Sequence, residues 1–462
     1  MAERVVVDQI DFRSALVFPR VLNAATGAFQ PSRLLAATFI VLALAVAGRF
    51  YDALRGSMIQ PAGLLSATRS SMDSAAIASD VARRALQALP VNERAAAMDS
   101  RGGVDIETVS ALLQNSLSSV SETDADGIRR ALDRLEPYRR KGTFDSFSVA
   151  VGRCIDDFAV GVLTVSPVMA VAAFGNLFIN LPLACWREDR WFCFVFGAAF
   201  LLAMGAGGAV LCRMTAIDLA GKAKISAADA FEFVKPRWIN HALVPVWPMF
   251  TLVVLLPVAA MLGWLSRIPL IDIFAGLAYG LVIVLSFFAA IALIPWGFCM
   301  PLAVAAAACE GCDGLEAAQR TVAYVLRRPL QGLLYLIMAA IGFSLVIFVS
   351  DLFAMATLSL ASNFVGMTAG DGPMSGLAII RLLLPDDVAP VRNLGFTASI
   401  SAGFVGLWIT VVKSLAAGAC FGAFWAVATA AYLALRKTCD DQPFDDLWMP
   451  GTAAGSRQDQ TA

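Results

Sequence analysis

The chain has 462 residues, a net charge of −1 and a single histidine, His241; 58 % of it is hydrophobic and only 15 % charged, against roughly 45–50 % and 25 % for a soluble domain. This balance excludes binding to nucleic acid through a basic surface and any histidine-rich metal site. Nine cysteines are scattered, mostly in or beside apolar runs, and none falls in the first 150 residues, so no disulfide framework is expected.

Residues 1–33 are polar and carry Arg4, Arg13, Arg20 and Arg33 ahead of the first apolar run at 34–48. That excess of arginine predicts a cytoplasmic N-terminal segment and a retained transmembrane signal anchor at 34–55. Ala45, Val46 and Ala47 also fit a small-residue cleavage pattern, although the leader is long for the n-region of a cleaved signal peptide.

Residues 56–156 form the only extended polar region, predicted to be extracytoplasmic and helical. Ile106, Val109, Leu112, Leu113, Leu117 and Val120 recur at helical spacing on one face. Ile77, Val81, Ala85 and Leu89 suggest another helix before Pro90. A third opens near Ser121 with Glu122, Asp124 and Asp126 and ends at Arg139, Arg140 and Lys141, charges that complement a helix dipole. No aromatic residue occurs between Arg55 and Pro137, so a thin helical hairpin is expected rather than a compact core.

Residues 157–190 are apolar but contain Pro167, Asn176, Asn180 and Pro182, which are costly in lipid. A re-entrant or interfacial segment is expected here. Were it to cross, the chain would have seven spans and its N-terminus outside; without it, about six spans leave both termini inside.

Residues 191–436 read as a transmembrane bundle. Uncharged stretches at 191–212, 242–266, 273–309, 329–350 and 414–435 are each long enough to cross a hydrocarbon core as a helix, the form that satisfies its own backbone in lipid. The loop after Cys212 carries Arg213, Lys222, Lys224, Lys235 and Arg237; the loop after Cys309 carries Arg320, Arg327 and Arg328; the tail opens with Arg436 and Lys437. Only Arg267, and then Arg381 with Arg392, occupy the intervening connections. The basic-rich loops are therefore placed in the cytoplasm. The long run from Asp272 to Glu310 predicts a break at Pro295 and Trp296, beyond which the chain lies in plane or folds back. Equal residue separations from Arg328 to Asp351 and from Lys413 to Arg436 place Asp351 and Lys413 at one outer level, where an ion pair is expected. Residues 437–462 are read as a disordered cytoplasmic tail.

Cys309 and Cys312 have the spacing of zinc and redox pairs, but no second ligand pair accompanies them. Pro245, Pro248, Pro257, Pro295 and Pro301 could mark the broken helices of a transporter or ordinary kinks. Arg213 and Asp218 read as boundary residues just past a span. No catalytic trio, HExxH or P-loop occurs, so no catalytic, cofactor-binding or metal-binding residue and no enzyme activity are predicted.

Cytoplasmic amphipathic helices are expected at about 220–240 and 310–329, each feeding a span like a repeated unit. The second contains Glu310, Asp313, Arg320, Tyr324, Arg328 and Pro329, with Val322, Val325 and Leu326 on its apolar side. This stretch resembles an E-G-x-D-A-x-x-A-x-x-R-x-x-x-Y-V-x-x-R-P pattern in planctomycete-type polytopic membrane proteins of uncharacterised activity. Gly314 replaces the pattern's usual alanine. The basic segment 213–237 and the ending from Phe424 to Asp441 are similar too, so the resemblance covers about residues 190–446. It implies the membrane architecture and carries no activity. More distantly, the helix-then-span unit resembles membrane domains fused to some glycerophosphodiester phosphodiesterases, whose catalytic domain is missing here. The expectation is an all-α polytopic, non-enzymatic inner-membrane protein in membrane organisation or an assembly, with the lipid bilayer and a membrane-protein partner, no nucleic acid and no cofactor. The alternative is a transporter of lipid or an apolar small molecule.

Overall fold

A computed structural model describes residues 18–56, 80–88, 106–116, 127–128, 131–132, 135, 142–246, 249–265, 267–268, 271–366 and 396–448. Among them no strand occurs, and the regular structure is helical. Among the described residues, five helices are long and apolar enough to cross a membrane, with a sixth if a bent pair is one span. The chain is an all-α polytopic membrane protein.

Helices α1 (Phe18–Thr26) and α2 (Pro31–Arg55) open the chain. Helix α3 (Ile106–Ser116) follows, then α4 (Thr143–Leu163), α5 (Pro167–Gly175) and α6 (Leu181–Glu188). Next come α7 (Arg190–Leu202) and α8 (Gly208–Leu219), joined by a π-helical turn. Short helices α9 (Ala227–Val234) and α10 (Trp238–Leu243) precede α11 (Met249–Leu265) and α12 (Ile271–Glu310). Helices α13 (Gly314–Arg327), α14 (Pro329–Gly366) and α15 (Phe396–Asp440) complete the order.

The chain divides into two units. The first comprises 1–41, 199–346 and 418–462. Its core centres on the second half of α12, where Ala303 to Cys309 are all buried. Alanine at successive positions lets neighbouring helices approach from every side, so this half is sheathed in protein. The first half has the opposite character: Ile273, Leu277, Phe287, Phe288 and Ile291 are exposed, as lipid-facing residues are. Between 276–291 and 296–310 the helix axis bends by 44°, where Pro295 lacks an amide hydrogen for the ladder. The run beyond Pro295 thus continues as helix.

The second unit comprises 42–198 and 347–417. Its aromatic core joins Tyr51, Phe144, Phe147, Phe192 and Phe196, with Phe192 and Phe196 stacked 4.8 Å apart one turn from each other on α7. A separate apolar cluster gathers Ala82, Ala85, Leu86, Val109, Leu113, Ile128, Ala131 and Leu135. Val109 and Leu113 lie on the face predicted from helical spacing, with Leu112 partly buried beside them. The sequence boundary at 156/157 falls inside α4, which runs unbroken through Asp156 and Asp157. The two acids lie on the exposed side of a helix whose other side is buried, so they do not end it.

Helices α4 and α5 fold back as a tight hairpin. Val165 adopts φ 54° at its tip, and a side chain at Gly161 would meet the Ala170 backbone at 2.6 Å. Helices α5 and α6 with the π-turn between them form an apolar stretch, Pro167–Glu188, long enough to cross a membrane.

Helix α15 extends to Asp440, and residues 441–448 continue as an ordered strap in which Phe444 and Leu447 are buried. The expectation of a disordered tail from residue 437 is therefore corrected up to residue 448. Three apolar anchors, Phe444, Leu447 and Trp448, hold a segment that looks polar on average. The rest of that tail lies outside the described residues, as do Arg4, Arg13, Arg381, Arg392 and most of the helix expected from Ser121.

Candidate functional site

The densest polar chemistry in the first unit surrounds the C-terminus of α12. A helix leaves its last carbonyls without partners, and here three of the final four find one, as does the carbonyl of Gly311 just past the end. The Gly311 amide donates to Ala307 O at 3.0 Å. Arg213 Nη1 donates to Ala308 O at 3.2 Å. The Trp448 amide donates to Cys309 O at 3.1 Å. Arg237 donates to Gly311 O. Gly311 takes φ 62°, the left-handed conformation of a residue just past a helix end. The Cys309–Cys312 spacing is thus the spelling of a helix stop. Both thiols are free, no metal-binding cluster occurs among the described residues, and burial pushes the Cys312 thiol up to about 12.

Arg213 is 2 % exposed. It spans from α12 to the strap, where its Nη2 donates to Trp448 O at 2.7 Å, and stacks over Phe233 at 4.2 Å. Two carbonyls and an aromatic face replace its lost hydration, and the negative end of the α12 dipole favours its charge. Arg237 lies over the Trp448 ring at 5.5 Å, and Phe233 meets the same ring at 5.7 Å.

Glu310, the last residue of α12, is the acidic centre. It pairs with Arg320, accepts a hydrogen bond from the Tyr432 hydroxyl and lies 3.9 Å from Arg436. Arg436 is 2 % exposed and also donates to Pro443 O at 2.9 Å. Arg320 holds Glu316 at 2.8 Å as well. Next to this set, the Tyr324 hydroxyl donates to Asp440, which Arg327 approaches at 3.4 Å. Burial, then the Asp440 hydrogen bond, pushes the Tyr324 hydroxyl well above its ordinary range, so it remains a donor at neutral pH. Tyr324 and Tyr432 rings sit 6.2 Å apart.

The predicted motif residues are thus largely gathered. Glu310, Arg320 and Tyr324 enter the network. Asp313 accepts from Asn240 at 3.1 Å and precedes α13 as its N-cap. Arg328 and Pro329 form the junction of α13 with α14. The face of α13 turned to protein carries Gly314, Ala317, Ala318, Thr321 and Tyr324. Val322 and Val325 pack at its edge, while Leu326 is exposed. Asp351 and Lys413, in the second unit, are not brought into an ion pair; partial burial first, then the charges of Asp351 and Asp157, raise the Asp156 carboxyl to about 6.

Sequence reasoning missed Arg213, Tyr432, Arg436 and Trp448 as members of the site. Only one signal pointed there: arginines immediately outside spans, with a lone glutamate at the end of another.

A second polar centre lies in the other unit. Asp189, 5 % exposed, is the N-cap of α7, accepting from the Phe192 amide at 3.3 Å. It also accepts from Tyr51 at 2.7 Å and Thr143 at 3.2 Å and pairs with Arg55 at 3.4 Å. Burial alone would raise its carboxyl; these partners outweigh that and hold it low. Asp52, a turn away on α2, caps α4 by accepting from the Phe144 and Asp145 amides at 2.9 and 3.1 Å. Both acids therefore fasten helix starts.

Comparison with protein-family models, with curated proteins and with solved structures finds no match for this chain.

Proposed function

We propose that this integral membrane protein is a non-catalytic organiser or assembly component of a bacterial inner membrane. Both termini would be cytoplasmic, residues 56–156 extracytoplasmic, and 157–190 re-entrant or interfacial. The observation that carries the reading is the use made of charge around α12. Arg213, Arg237, Glu310, Arg320 and Arg436 all bind helix ends, the strap or one another. Such a knot suits a rigid scaffold. The arginine-rich level it occupies supports a cytoplasmic position, and the planctomycete-type resemblance supports a membrane role.

A transporter of lipid or an apolar solute is the competing reading, favoured by one observation, the 44° bend in α12 at Pro295. Reconstituted into vesicles, the full chain is expected to move neither lipid nor small apolar solute faster than protein-free vesicles do. A membrane-protein partner should instead co-purify with it in fixed ratio after cross-linking in native membranes. Substrate-specific flux lost on Pro295→Ala or Pro257→Ala would overturn the scaffold.

A further inference from the structure

The strap, residues 441–448, is held the way a bound peptide is held. Helix α15 stops at Asp440, and Asp441 takes φ 53°, so the chain turns back over a single residue. Beyond that hinge, four arginines from separate parts of the first unit meet the strap. Arg436 Nη2 donates to Pro443 O at 2.9 Å, and Arg213 Nη2 donates to Trp448 O at 2.7 Å. Arg20 lies over the Phe444 ring at 5.1 Å, and Arg237 over the Trp448 ring at 5.5 Å. The Trp448 amide donates to Cys309 O at 3.1 Å. Each of these contacts is made to strap backbone or to an aromatic ring. The strap's own acids, Asp445 and Asp446, lie exposed and form no ion pair among the described residues.

The cradle keeps its internal partners when the strap is taken away. Arg213 retains Ala308 O and the Phe233 ring, Arg237 retains Gly311 O, and Arg436 retains Glu310. Removing one half of a buried charge pair strands the other half, and here no such pair is split. What the strap alone supplies is an amide for Cys309 O and the apolar anchors Phe444, Leu447 and Trp448. We infer that the strap is a self-ligand, filling in cis a docking groove for an acidic partner peptide with two aromatic residues four positions apart, as Phe444 and Trp448 are. The occupant is a peptide because the carbonyl at the end of α12 needs an amide donor. It is aromatic because guanidinium faces receive its rings, and acidic because four arginines attract carboxylates from a distance. The groove deepens the assembly reading and rests on it: a partner docks only where the strap has yielded.

The test is fluorescence anisotropy of a labelled synthetic peptide, residues 442–450, added to the full chain in detergent. The wild-type chain should bind it about tenfold more weakly than the Trp448→Ala chain, because a tethered competitor acts at an effective concentration on the order of millimolar. Phe444→Ala, read in place of Trp448→Ala should that variant aggregate, loosens the strap at its other ring and should bind the peptide as the Trp448→Ala chain does. A peptide that itself carries Trp448→Ala should bind none of these chains. Equal binding by the wild type and the variants, or binding indifferent to Trp448→Ala in the peptide, overturns the groove. Release of bound peptide by phosphatidylglycerol as readily as by unlabelled peptide overturns the peptide assignment in favour of a lipid headgroup. Self-association of the wild-type chain that Trp448→Ala abolishes would give the groove to the strap of a second copy and overturn the separate partner. Flux in reconstituted vesicles, which would sink the scaffold reading, leaves this peptide binding untouched.

Discussion

Gly311 concentrates the logic of the site in one residue. Its φ of 62° disfavours any residue with a side chain, and a Cβ there would come within 2.7 Å of the Trp448 ring. Gly56 has a similar φ of 75° with nothing nearby, so it isolates the backbone cost alone. Gly56→Ala should cost about 1 kcal/mol, and Gly311→Ala about 2–3 kcal/mol because Trp448 must also move. Thermal unfolding in detergent compares them; equal losses would show that Trp448 does not press on the helix end. His241 supplies the pH dependence. It is buried, and that burial, reinforced by Arg237, pushes its imidazole down to about 4. The unfolded chain binds a proton near pH 6.5, the folded chain only near 4, so its contribution is present above 6.5 and is lost as pH falls through that window. Stability should drop by on the order of 3 kcal/mol across it, and His241→Gln should flatten that part of the curve. A variant with an unchanged acid limb would show that other groups set it.

At the scale of elements, legibility depended on distance along the chain. Spans could be read because a run without charge is a local signal, and the helical face of Val109 and Leu113 because its period is local. The residues that meet Glu310 could not: Tyr432 and Arg436 arrive from α15 and nothing near Glu310 names them. Counting residues suggested Asp351 and Lys413 as partners, but shared depth does not set which helices are neighbours. The strap was missed because three apolar anchors vanish in an average over a polar tail. The α4–α5 hairpin offers an element-level test. Val165 is a β-branched residue at φ 54° and lies exposed at the tip, so it loses little packing on replacement. Val165→Gly should therefore raise stability by about 1 kcal/mol. A loss of stability, read from the unfolding midpoint in detergent, would mean that the tip does not hold this turn.

Around α12, charge gathers at the helix end while exposed bulky apolar side chains lie along the flank before Pro295. That distribution suits a chain solvated by lipid around its middle and by water at its ends. In the proposed orientation the α12 network faces the cytoplasm and the helical region containing α3 faces the opposite side. Thr108 is exposed on α3, and Lys224 lies exposed in the loop between α8 and α9, so the two report on opposite sides. The decisive measurement is labelling of Thr108→Cys and Lys224→Cys, each in a cysteine-free background, with a membrane-impermeant maleimide applied to intact spheroplasts. Thr108→Cys should be modified at once and Lys224→Cys only after the membrane is opened; protection of Thr108→Cys together with ready modification of Lys224→Cys would contradict the orientation and the cytoplasmic network built upon it.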